Sequence, residues 1–366
     1  MKAAVLHGIR DIRIEDVPLP EPVGVAATLV RIDAVGVCGS DVLRFSVGKG
    51  YGFPLVLGHE MSGTLAEDSP SGRLKAGTRV AIFPCIPNPD DPMTEIGEFT
   101  LGTGYDYFGS RRDGGLEEYL RVPERNLFPL RDDMGLLEGA MVEPAGVALH
   151  AVRKAPVPAN ASALVIGAGP IGMLAAQWLR VLGVTRVIVA DVDDRKRRLA
   201  ERLGFETIDA AAGPSDEQVL ERTGGRGVDI AVEASGLALT FVQAINAAAH
   251  SGHVILLGDL RDDAVLAKET VSRILRRELV LHGTWNAKIA PRDHSDWDMV
   301  IAHLGRDVAG ADLISHVIDI DDAQQAFTDL ADRAQWSNKS MFAVSEAALA
   351  EGARILAESF SAEVPA

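Results

Sequence analysis

The chain has 366 residues, more than one hydrophobic core usually supports, so two domains are expected. Its formal net charge of -16 and pI near 5.0 argue against nucleic acid or an anionic membrane as a partner and favour a small-molecule substrate, because polyanions bind basic surfaces. The two cysteines exclude a disulfide framework, and the N-terminal residues become charged too early for a signal peptide; both features predict a cytoplasmic protein.

Three segments of the chain differ in their hydrophobic pattern. Residues 1–150 alternate short apolar runs with prolines and glycine-rich turns, which is typical of a β-rich domain. Residues 151–285 alternate apolar strands with helical segments, one of them opened by Ser215 and Gln218 at capping-box spacing, which predicts an α/β domain with a doubly wound parallel sheet. Residues 286–344 are expected to return to the first domain, and residues 345–366 form an extension with the pattern of an amphipathic helix.

A glycine-rich motif, G-A-G-P-I-G, connects a strand to a helix in the second of these segments. Gly167 permits the tight turn, Gly169 lets a pyrophosphate approach the backbone, and Gly172 lets the helix pack against the sheet. Pro170 and Ile171 open the helix, whose N-terminus would face the phosphates. The motif alone is weak evidence, because an ordinary turn can contain it, but its position between strand and helix predicts dinucleotide binding.

Asp191 ends the next predicted strand, 24 residues after Gly167, where the ribose hydroxyls are expected. A carboxylate there accepts hydrogen bonds from both hydroxyls and repels a 2′-phosphate, which favours NAD over NADP. The basic run 195–198 could instead hold a phosphate, but at helical spacing it fits the solvated face of a helix better. The uncharged stretch 161–179 is long enough for a membrane span, yet its glycines and proline favour a buried strand and helix.

The first domain contains a second constellation, spread over V-C-G-S-D, G-H-E-M-S-G and E-P. Cys38, His59 and Glu143 offer a thiol, an imidazole and a carboxylate, and a catalytic zinc takes three such ligands with a fourth position open. Each residue alone has a simpler interpretation: a buried cysteine, a loop histidine and a solvated helix start.

Together, these motifs and the distal Asp191 resemble the zinc-dependent medium-chain dehydrogenase family over about residues 1–344. The segment Tyr105–Gly115, Y-D-Y-F-G-S-R-R-D-G-G, and the E-P pair are similar to patterns of its sorbitol and galactitol-1-phosphate dehydrogenase branch. The resemblance implies a GroES-like catalytic domain beside a Rossmann domain, and a homodimer or homotetramer in which an edge strand of the chain pairs with its copy.

The resemblance also implies roles for individual residues. Cys38, His59 and Glu143 would hold one catalytic Zn²⁺, and Glu60 would exchange with substrate or water. Asp41 would orient His59 through the ring nitrogen that does not face the metal, and Ser40 would relay the proton. Zinc would act as a Lewis acid on a substrate hydroxyl, and hydride would pass to the nicotinamide.

One family feature is missing from this chain. Members of the family often hold a structural zinc with four cysteines, but Asn88, Asp91 and Phe99 occupy three of those positions here. A four-cysteine site is therefore impossible, and prolines or packing must stabilise the loop Cys85–Gly104 instead. The acids of the loop, Asp90, Asp91 and Glu95, fit a solvated surface better than a cation site.

Arg111, Arg112 and Trp285 are the tentative substrate residues. An arginine fork binds phosphate bidentately, so one of the arginines could hold a phosphorylated substrate. The alternative is that both pair with Asp106, Asp113 or Glu117 across a hairpin that turns at residues 113–115. Trp285 could line the nicotinamide end of the cleft or belong to the core.

The sequence therefore predicts an NAD-dependent zinc dehydrogenase that acts on a secondary alcohol of a polyol, cyclitol, sugar or sugar phosphate. Two alternatives remain: a zinc-free quinone or enone reductase on the same fold, which would lack Cys38, His59 and Glu143, and a catalytically silent NAD-binding protein.

Overall fold

The computed structural model describes residues 1–21 and 26–361, without the side chains of residues 359–361. Residue contacts divide the chain into two compact units: Met1–Glu143 with the chain from Lys288 onward, and Pro144–Ala287. Over the described ranges, no helix combines the length and the apolar character needed to cross a bilayer. The uncharged stretch 161–179 instead contains a strand and most of a helix.

The strands and the α-helices of the described residues are each numbered in chain order. The strands are β1 Lys2–Gly8, β2 Asp11–Asp16, β3 Ala27–Gly36, β4 Leu55–Val56, β5 Glu60–Leu65, β6 Arg79–Ile82, β7 Cys85–Ile86, β8 Asp106–Tyr107, β9 Tyr119–Pro123, β10 Leu127–Pro129, β11 Ser162–Ile166, β12 Arg186–Asp191, β13 Glu206–Asp209, β14 Val228–Glu233, β15 Ala248–Leu256, β16 Val280–Gly283, β17 Ile314–Asp319 and β18 Lys339–Ala343. The α-helices are α1 Gly39–Val47, α2 Pro92–Glu95, α3 Leu136–Ala140, α4 Val142–Val152, α5 Pro170–Val181, α6 Asp194–Arg202, α7 Ser215–Arg222, α8 Ala238–Ala247, α9 Lys268–Arg276, α10 Asp296–His303, α11 Ala323–Asp332 and α12 Glu346–Ser361.

The first unit is built on a largely antiparallel sheet. Its strand order is β10-β6-β5-β3-β18-β17, β9 also pairs with β3, and β17 and β18 run parallel. A smaller sheet, β2-β1-β4, lies in the same unit. The rings of Phe45 on α1, Phe327 on α11 and Phe342 on β18 pack against one another in the core. Phe45 and Phe327 are tilted at a centroid distance of 5.5 Å, and Phe327 and Phe342 are stacked at 5.6 Å. Early and late parts of the chain therefore share one core.

The second unit contains a parallel sheet in the order β13-β12-β11-β14-β15-β16. This order is that of a doubly wound dinucleotide-binding sheet. Every residue of the central strand β11 is buried, which explains its uninterrupted apolar sequence. The α/β fold class predicted from the sequence is confirmed.

One predicted helix cap is wrong. Helix α7 begins at Ser215 with Pro214 as its N-cap residue, so the Ser215 side chain makes no capping hydrogen bond. Gln218 instead donates to the carbonyls of Asp209 and Gly213. A true capping box occurs at α10, where Ser295 and Asp298 each accept a hydrogen bond from the other's backbone N–H.

Candidate metal centre and cofactor loop

The thiol of Cys38, the imidazole of His59 and the carboxylate of Glu60 converge, with one potential ligand atom of each within 4.8 Å of the others. The sheet explains this convergence. Cys38 follows β3, Glu60 begins β5, and these strands pair with Gly36 opposite Glu60. A Cβ at Gly36 would lie 2.0 Å from a carboxylate oxygen of Glu60, so the register requires glycine there.

Asp41 lies behind His59, as predicted for an orienting carboxylate. Its Oδ1 is 3.3 Å from Nδ1 of His59, and its Oδ2 accepts the backbone N–H of Cys38 at 3.1 Å. Although burial alone would raise the pKa of Asp41, the neighbouring His59 and Arg44 hold this pKa below its usual value. Burial conversely lowers the pKa of His59, but Asp41 and Cys38 more than offset it and raise that pKa well above 6.5. The second imidazole nitrogen is left for a metal.

Glu60 forms a buried ion pair with Lys339, a residue that the sequence analysis did not single out. Both side chains are 3% exposed, and Lys339 Nζ also donates to the carbonyl of Val37 at 3.0 Å. Lys339 opens β18, which pairs with β3 on the side opposite β5, with Met341 facing Gly36. No local motif marks this lysine, because strand pairing alone brings it to the site.

Glu143 is buried beside these groups but does not belong to the group of three close ligand atoms. It lies in the first turn of α4, and the hydroxyl of Tyr107 is 3.4 Å from its Oε1. Burial raises the pKa of Glu143 to about 7; the positive charges of His59 and Lys339 lower it, and Glu60 raises it. The ring of Tyr107 also lies 5.9 Å from that of His59.

This donor set fits a catalytic zinc. One thiol, one imidazole and a carboxylate satisfy the preference of zinc for sulfur, nitrogen and oxygen ligands. The chain offers two buried carboxylates near the thiol and imidazole, Glu60 and Glu143, of which one would serve as the third ligand. Cys85, the other cysteine, is unsuited to metal binding, because burial raises the pKa of its thiol to about 12.

Ser40, the predicted proton relay, is partly exposed on the first turn of α1. Its hydroxyl accepts a hydrogen bond from Arg44 Nη1 at 2.9 Å, and the same nitrogen lies 3.3 Å from Asp41 Oδ1. Arg44 thus links Ser40 to Asp41. The helical i,i+4 spacing of Ser40 and Arg44 was a signal for this contact that the sequence analysis did not use.

The glycine motif forms a tight turn between β11 and α5. Gly167 has a φ of 104°, and a Cβ on Gly172 would lie 1.8 Å from the carbonyl oxygen of Gly167, so both positions require glycine. Gly169 is the N-cap residue of α5, Pro170 follows in the first turn before Ile171, and no atom lies within 4 Å of a Cβ built on Gly169. That open space at a helix N-terminus is suited to a pyrophosphate.

Asp191 ends β12 and holds the glycine turn in place. Its Oδ2 accepts the backbone N–H of Ala168 at 2.6 Å, and its Oδ1 accepts that of Asp193 at 2.8 Å. Two arginines of the basic run pair with acids: Arg197 with Asp194 and Asp209, and Arg198 with Asp194.

The two arginines of the predicted substrate segment have different surroundings. Arg112 pairs with Asp106 at 2.8 Å, as the alternative interpretation predicted. Arg111 instead stacks on aromatic rings, with its guanidinium carbon 4.1 Å from the Tyr105 centroid and 4.8 Å from that of Tyr51. The predicted hairpin is wrong, because β8 pairs with β7.

Asp113 and Trp285, the other two residues of the predicted substrate region, lie in different units. The carboxylate of Asp113 accepts the backbone N–H of Val56 at 2.8 Å, which ties the segment to another strand. Trp285, in the second unit, is 58% exposed and is therefore not a core residue; its role toward the cofactor stays a prediction.

The loop Cys85–Gly104 is held by hydrogen bonds to Asp91, the one acid among the three residues that replace the cysteines. Asp91 Oδ1 accepts the N–H of Met93 at 2.8 Å, and its Oδ2 accepts the N–H and the hydroxyl of Thr103 at 2.8 and 2.7 Å. Asn88 also donates to the carbonyl of Thr103 at 3.2 Å. Asp91 is therefore a structural residue of the loop rather than a solvated surface acid.

Known protein families match the sequence of each of the two units. Residues 24–132 match the alcohol dehydrogenase GroES-like domain, and residues 170–305 match the zinc-binding dehydrogenase domain. Galactitol 1-phosphate 5-dehydrogenase of Escherichia coli (strain K12) is 32% identical over 336 residues, 90% of this chain and 96% of that protein. Sorbitol dehydrogenase of Bos taurus is 30% identical over 333 residues, 88% of this chain and 91% of that protein.

Solved structures give the same result. Galactitol-1-phosphate dehydrogenase from Escherichia coli has a TM-score of 0.87 at 32% identity, covering 94% of this chain and 100% of that one. A zinc-binding dehydrogenase from Sinorhizobium meliloti 1021, bound to NADP, has a TM-score of 0.85 at 30% identity, covering 94% and 99%.

The chain belongs to the zinc-dependent medium-chain dehydrogenase family, in the branch of the galactitol-1-phosphate and sorbitol dehydrogenases. The family predicted from the sequence motifs is thereby confirmed, as are the GroES-like and Rossmann domains. The chain is a zinc-type alcohol dehydrogenase that uses a nicotinamide cofactor.

Proposed function

We propose that this protein oxidises a secondary alcohol of a polyol, cyclitol, sugar or sugar phosphate with NAD, using one catalytic zinc. The observation that carries the proposal is the convergence of the partly exposed Cys38 with the buried His59 and Glu60, with Glu143 and Asp41 beside them. Zinc, when bound, supplies a Lewis acid for the substrate hydroxyl. Cys38, His59 and Glu143 are the proposed ligands, and Glu60 is the carboxylate that exchanges with substrate or water.

The chain's own residues prepare this site for hydride transfer. Asp41 fixes the orientation of His59, and the ammonium of Lys339 compensates the charge of the Glu60 carboxylate inside the protein. The hydroxyl of Ser40, held by Arg44, is the proposed first acceptor of the substrate proton.

NAD is the proposed cofactor rather than NADP. Asp191 places a carboxylate at the end of β12, where it would accept hydrogen bonds from the ribose and repel a 2′-phosphate. The pairing of Arg197 and Arg198 with acids supports this preference, since neither charge is left for a phosphate. The NADP-bound relative makes the cofactor ratio worth measuring directly.

The cellular setting and the assembly are also proposals. The two cysteines, one of them a candidate zinc ligand, suit a reducing cytoplasm. Strand β16 is an edge of the parallel sheet, and its pairing with a second copy would give a homodimer or homotetramer. The exposed Trp285 that follows this strand is a candidate contact of the nicotinamide.

Metal analysis and turnover test the proposal together. The purified protein should contain about one zinc per chain and reduce NAD with at least one member of a panel of polyols, cyclitols and their phosphates. Cys38→Ser should lose the zinc and the turnover while it retains NAD affinity, whereas Cys85→Ser, the matched control, should retain zinc. A zinc-free protein that reduces quinones or enones, or one that binds NAD without any turnover, would contradict the proposal.

A further inference from the structure

Helix α12 occupies most of the C-terminal extension, to which the proposed function gives no role. The helix packs against β17, β18 and α3 of the first unit. The chain enters it through the backbone N–H groups of Val344 and Ser345, which donate to the carbonyl of Asp33 on β3 at 2.9 and 3.3 Å. Gly352 is buried and permits a close approach to β17, because a Cβ there would lie 2.5 Å from Cγ1 of Val317. Helix α12 is therefore docked on the first unit.

One carboxylate of α12 caps helix α3. Glu351 Oε2 accepts the backbone N–H of Leu136 at 2.7 Å, and its Oε1 accepts that of Leu137 at 3.0 Å. These are the first two N–H groups of α3, which have no acceptor inside their own helix. The N-cap residue of α3 is Gly135, which has no side chain to accept them. A carboxylate from a distant helix thus takes the place of the local cap.

The absence of a side chain at Gly135 allows this contact. A Cβ at this position would lie 2.2 Å from Glu351 Oε1, so any other residue would displace the carboxylate. The backbone of Gly135 has φ -74° and ψ 172°, an extended conformation that other residues adopt. Glycine is therefore required here for the approach of Glu351 and not for the backbone conformation.

Helix α3 connects the cap to the candidate metal centre. Only Met141, itself in a helical conformation, separates α3 from α4. Glu143 therefore lies about two turns of almost continuous helix after Leu136. The carbonyl of Leu136 also accepts a hydrogen bond from the hydroxyl of Ser62 on β5. Leu136 is thereby fixed on one side by α12 and on the other by the strand that carries Glu60.

We propose that Glu351 is a positioning residue that caps α3 from the C-terminal extension and thereby sets the position of Glu143 as a ligand of the catalytic zinc. This inference rests on the proposed function, in which Glu143 binds the metal. Without the cap, the first turn of α3 would have unsatisfied N–H groups and would fray. The displacement would pass along the helix to Glu143, and zinc would be held less firmly by a carboxylate that is no longer preorganised.

The test removes the cap in two ways that leave the proposed metal ligands in place. Glu351→Ala deletes the carboxylate, and Gly135→Ala displaces it with the added Cβ. In both variants an excess of chelator should extract zinc from the folded protein about 3- to 30-fold faster, the range that loss of a helix cap gives. The visible absorption spectrum of the cobalt-substituted protein, which reports the geometry of the metal ligands, should also change. Glu358→Ala, at an exposed position on the same helix, is the matched control and should change neither.

A replacement cap gives a double variant with an opposite effect. Gly135→Ser alone should behave like Gly135→Ala, because its Cβ would displace the carboxylate of Glu351. Combined with Glu351→Ala, the same substitution should restore slow zinc release and the wild-type cobalt spectrum, because a serine hydroxyl at the N-cap accepts an N–H of the first turn. A cap that only stabilises the fold would show this reversal in urea unfolding but not in the cobalt spectrum.

Unchanged zinc release and an unchanged cobalt spectrum in Glu351→Ala would overturn the inference, even with a loss of stability in urea. Failure of the double variant to restore either property would also overturn it. The proposed function fails separately if the wild type binds no zinc and oxidises no substrate. Amide hydrogen exchange of the zinc-free protein then still tests the positioning: Glu351→Ala should speed exchange at residues 139–143, and no change there would refute it.

Discussion

The ammonium of Lys339 lies against the carboxylate of Glu60 inside the protein, although 279 residues separate them in the sequence. Each side chain is 3% exposed, so neither charge is solvated and each depends on the other. Glu60 is also one of three residues whose potential ligand atoms converge at the candidate metal centre. The ion pair therefore couples the stability of the first unit to the chemistry of the site.

Replacement of Lys339 by Met should destabilise the protein by about 3 to 5 kcal/mol, because it leaves the Glu60 carboxylate buried without a counter-charge. Urea unfolding of the zinc-free protein measures this change. The double variant Lys339→Met with Glu60→Gln should recover most of the loss, because the unpaired charge is removed. Strictly additive losses in the double variant would mean that the two residues act independently.

Asp191→Ala should lower the preference for NAD over NADP by about tenfold or more, because the repulsion between this carboxylate and a 2′-phosphate disappears. The measurement is the ratio of kcat/KM with the two cofactors. Asp193→Ala is the matched control, since this residue caps α6 and should leave the ratio unchanged. An unchanged ratio in Asp191→Ala would show that the acid does not contact the ribose.

Glu117 should make the stability of the first unit depend on pH. The residue is 3% exposed, and burial, together with the negative charge of Asp113, raises its pKa from 4.5 to about 9. The unfolded chain releases this proton near pH 4.5 and the folded chain retains it, so stability should fall as pH rises through this window, by about 1.4 kcal/mol per unit.

Glu117→Gln, which resembles the protonated carboxyl, should therefore stabilise the protein at pH 7 by roughly 3 kcal/mol, and by more at higher pH, and flatten the pH profile. Thermal or urea unfolding between pH 5 and 9 measures the slope. The control Glu118→Gln, at a neighbouring residue that is only half-buried, should not change the slope of stability against pH. A wild-type stability that rises across this range would refute the buried neutral carboxyl.

Asp91→Ala should lower the melting temperature and speed proteolysis of the loop Cys85–Gly104, because three hydrogen bonds to Met93 and Thr103 are lost. Asp91→Asn should have a smaller effect, since it keeps one acceptor oxygen. Asp90→Ala, at an exposed neighbouring position, is the control and should change neither property. If a chelator accelerated cleavage of the loop as strongly as Asp91→Ala, a metal would be involved after all.

Much of the fold could be predicted from local patterns, and so could the family. Gly167 and Gly172 are required by sterics within one turn, and the apolar run of β11 reflects burial on both faces. Cys38 and His59 were candidates because each stands next to residues of a family motif. Each of these patterns is contained within a few neighbouring residues, and over such short distances the spacing in the sequence determines the geometry.

The remaining features depend on contacts between distant parts of the chain. Lys339 reaches the site only because β18 pairs with β3, and Tyr51 meets Arg111 across 60 residues. The helix cap predicted at Ser215 is wrong, because the helix already begins at Ser215 and Pro214 occupies the N-cap position. Nothing in the spacing of these residues indicates such partners, since hydrophobic patterns predict elements but not which elements meet.

Asp91 has a consequence for how the protein matures. A lobe held by four cysteines folds only when metal is delivered, and it can be damaged by oxidants that convert its thiolates. Here a carboxylate and the backbone and hydroxyl of Thr103 make the equivalent connections, and all of them are present as soon as the chain is synthesised. This loop can therefore fold before any zinc arrives and remains intact when zinc is scarce.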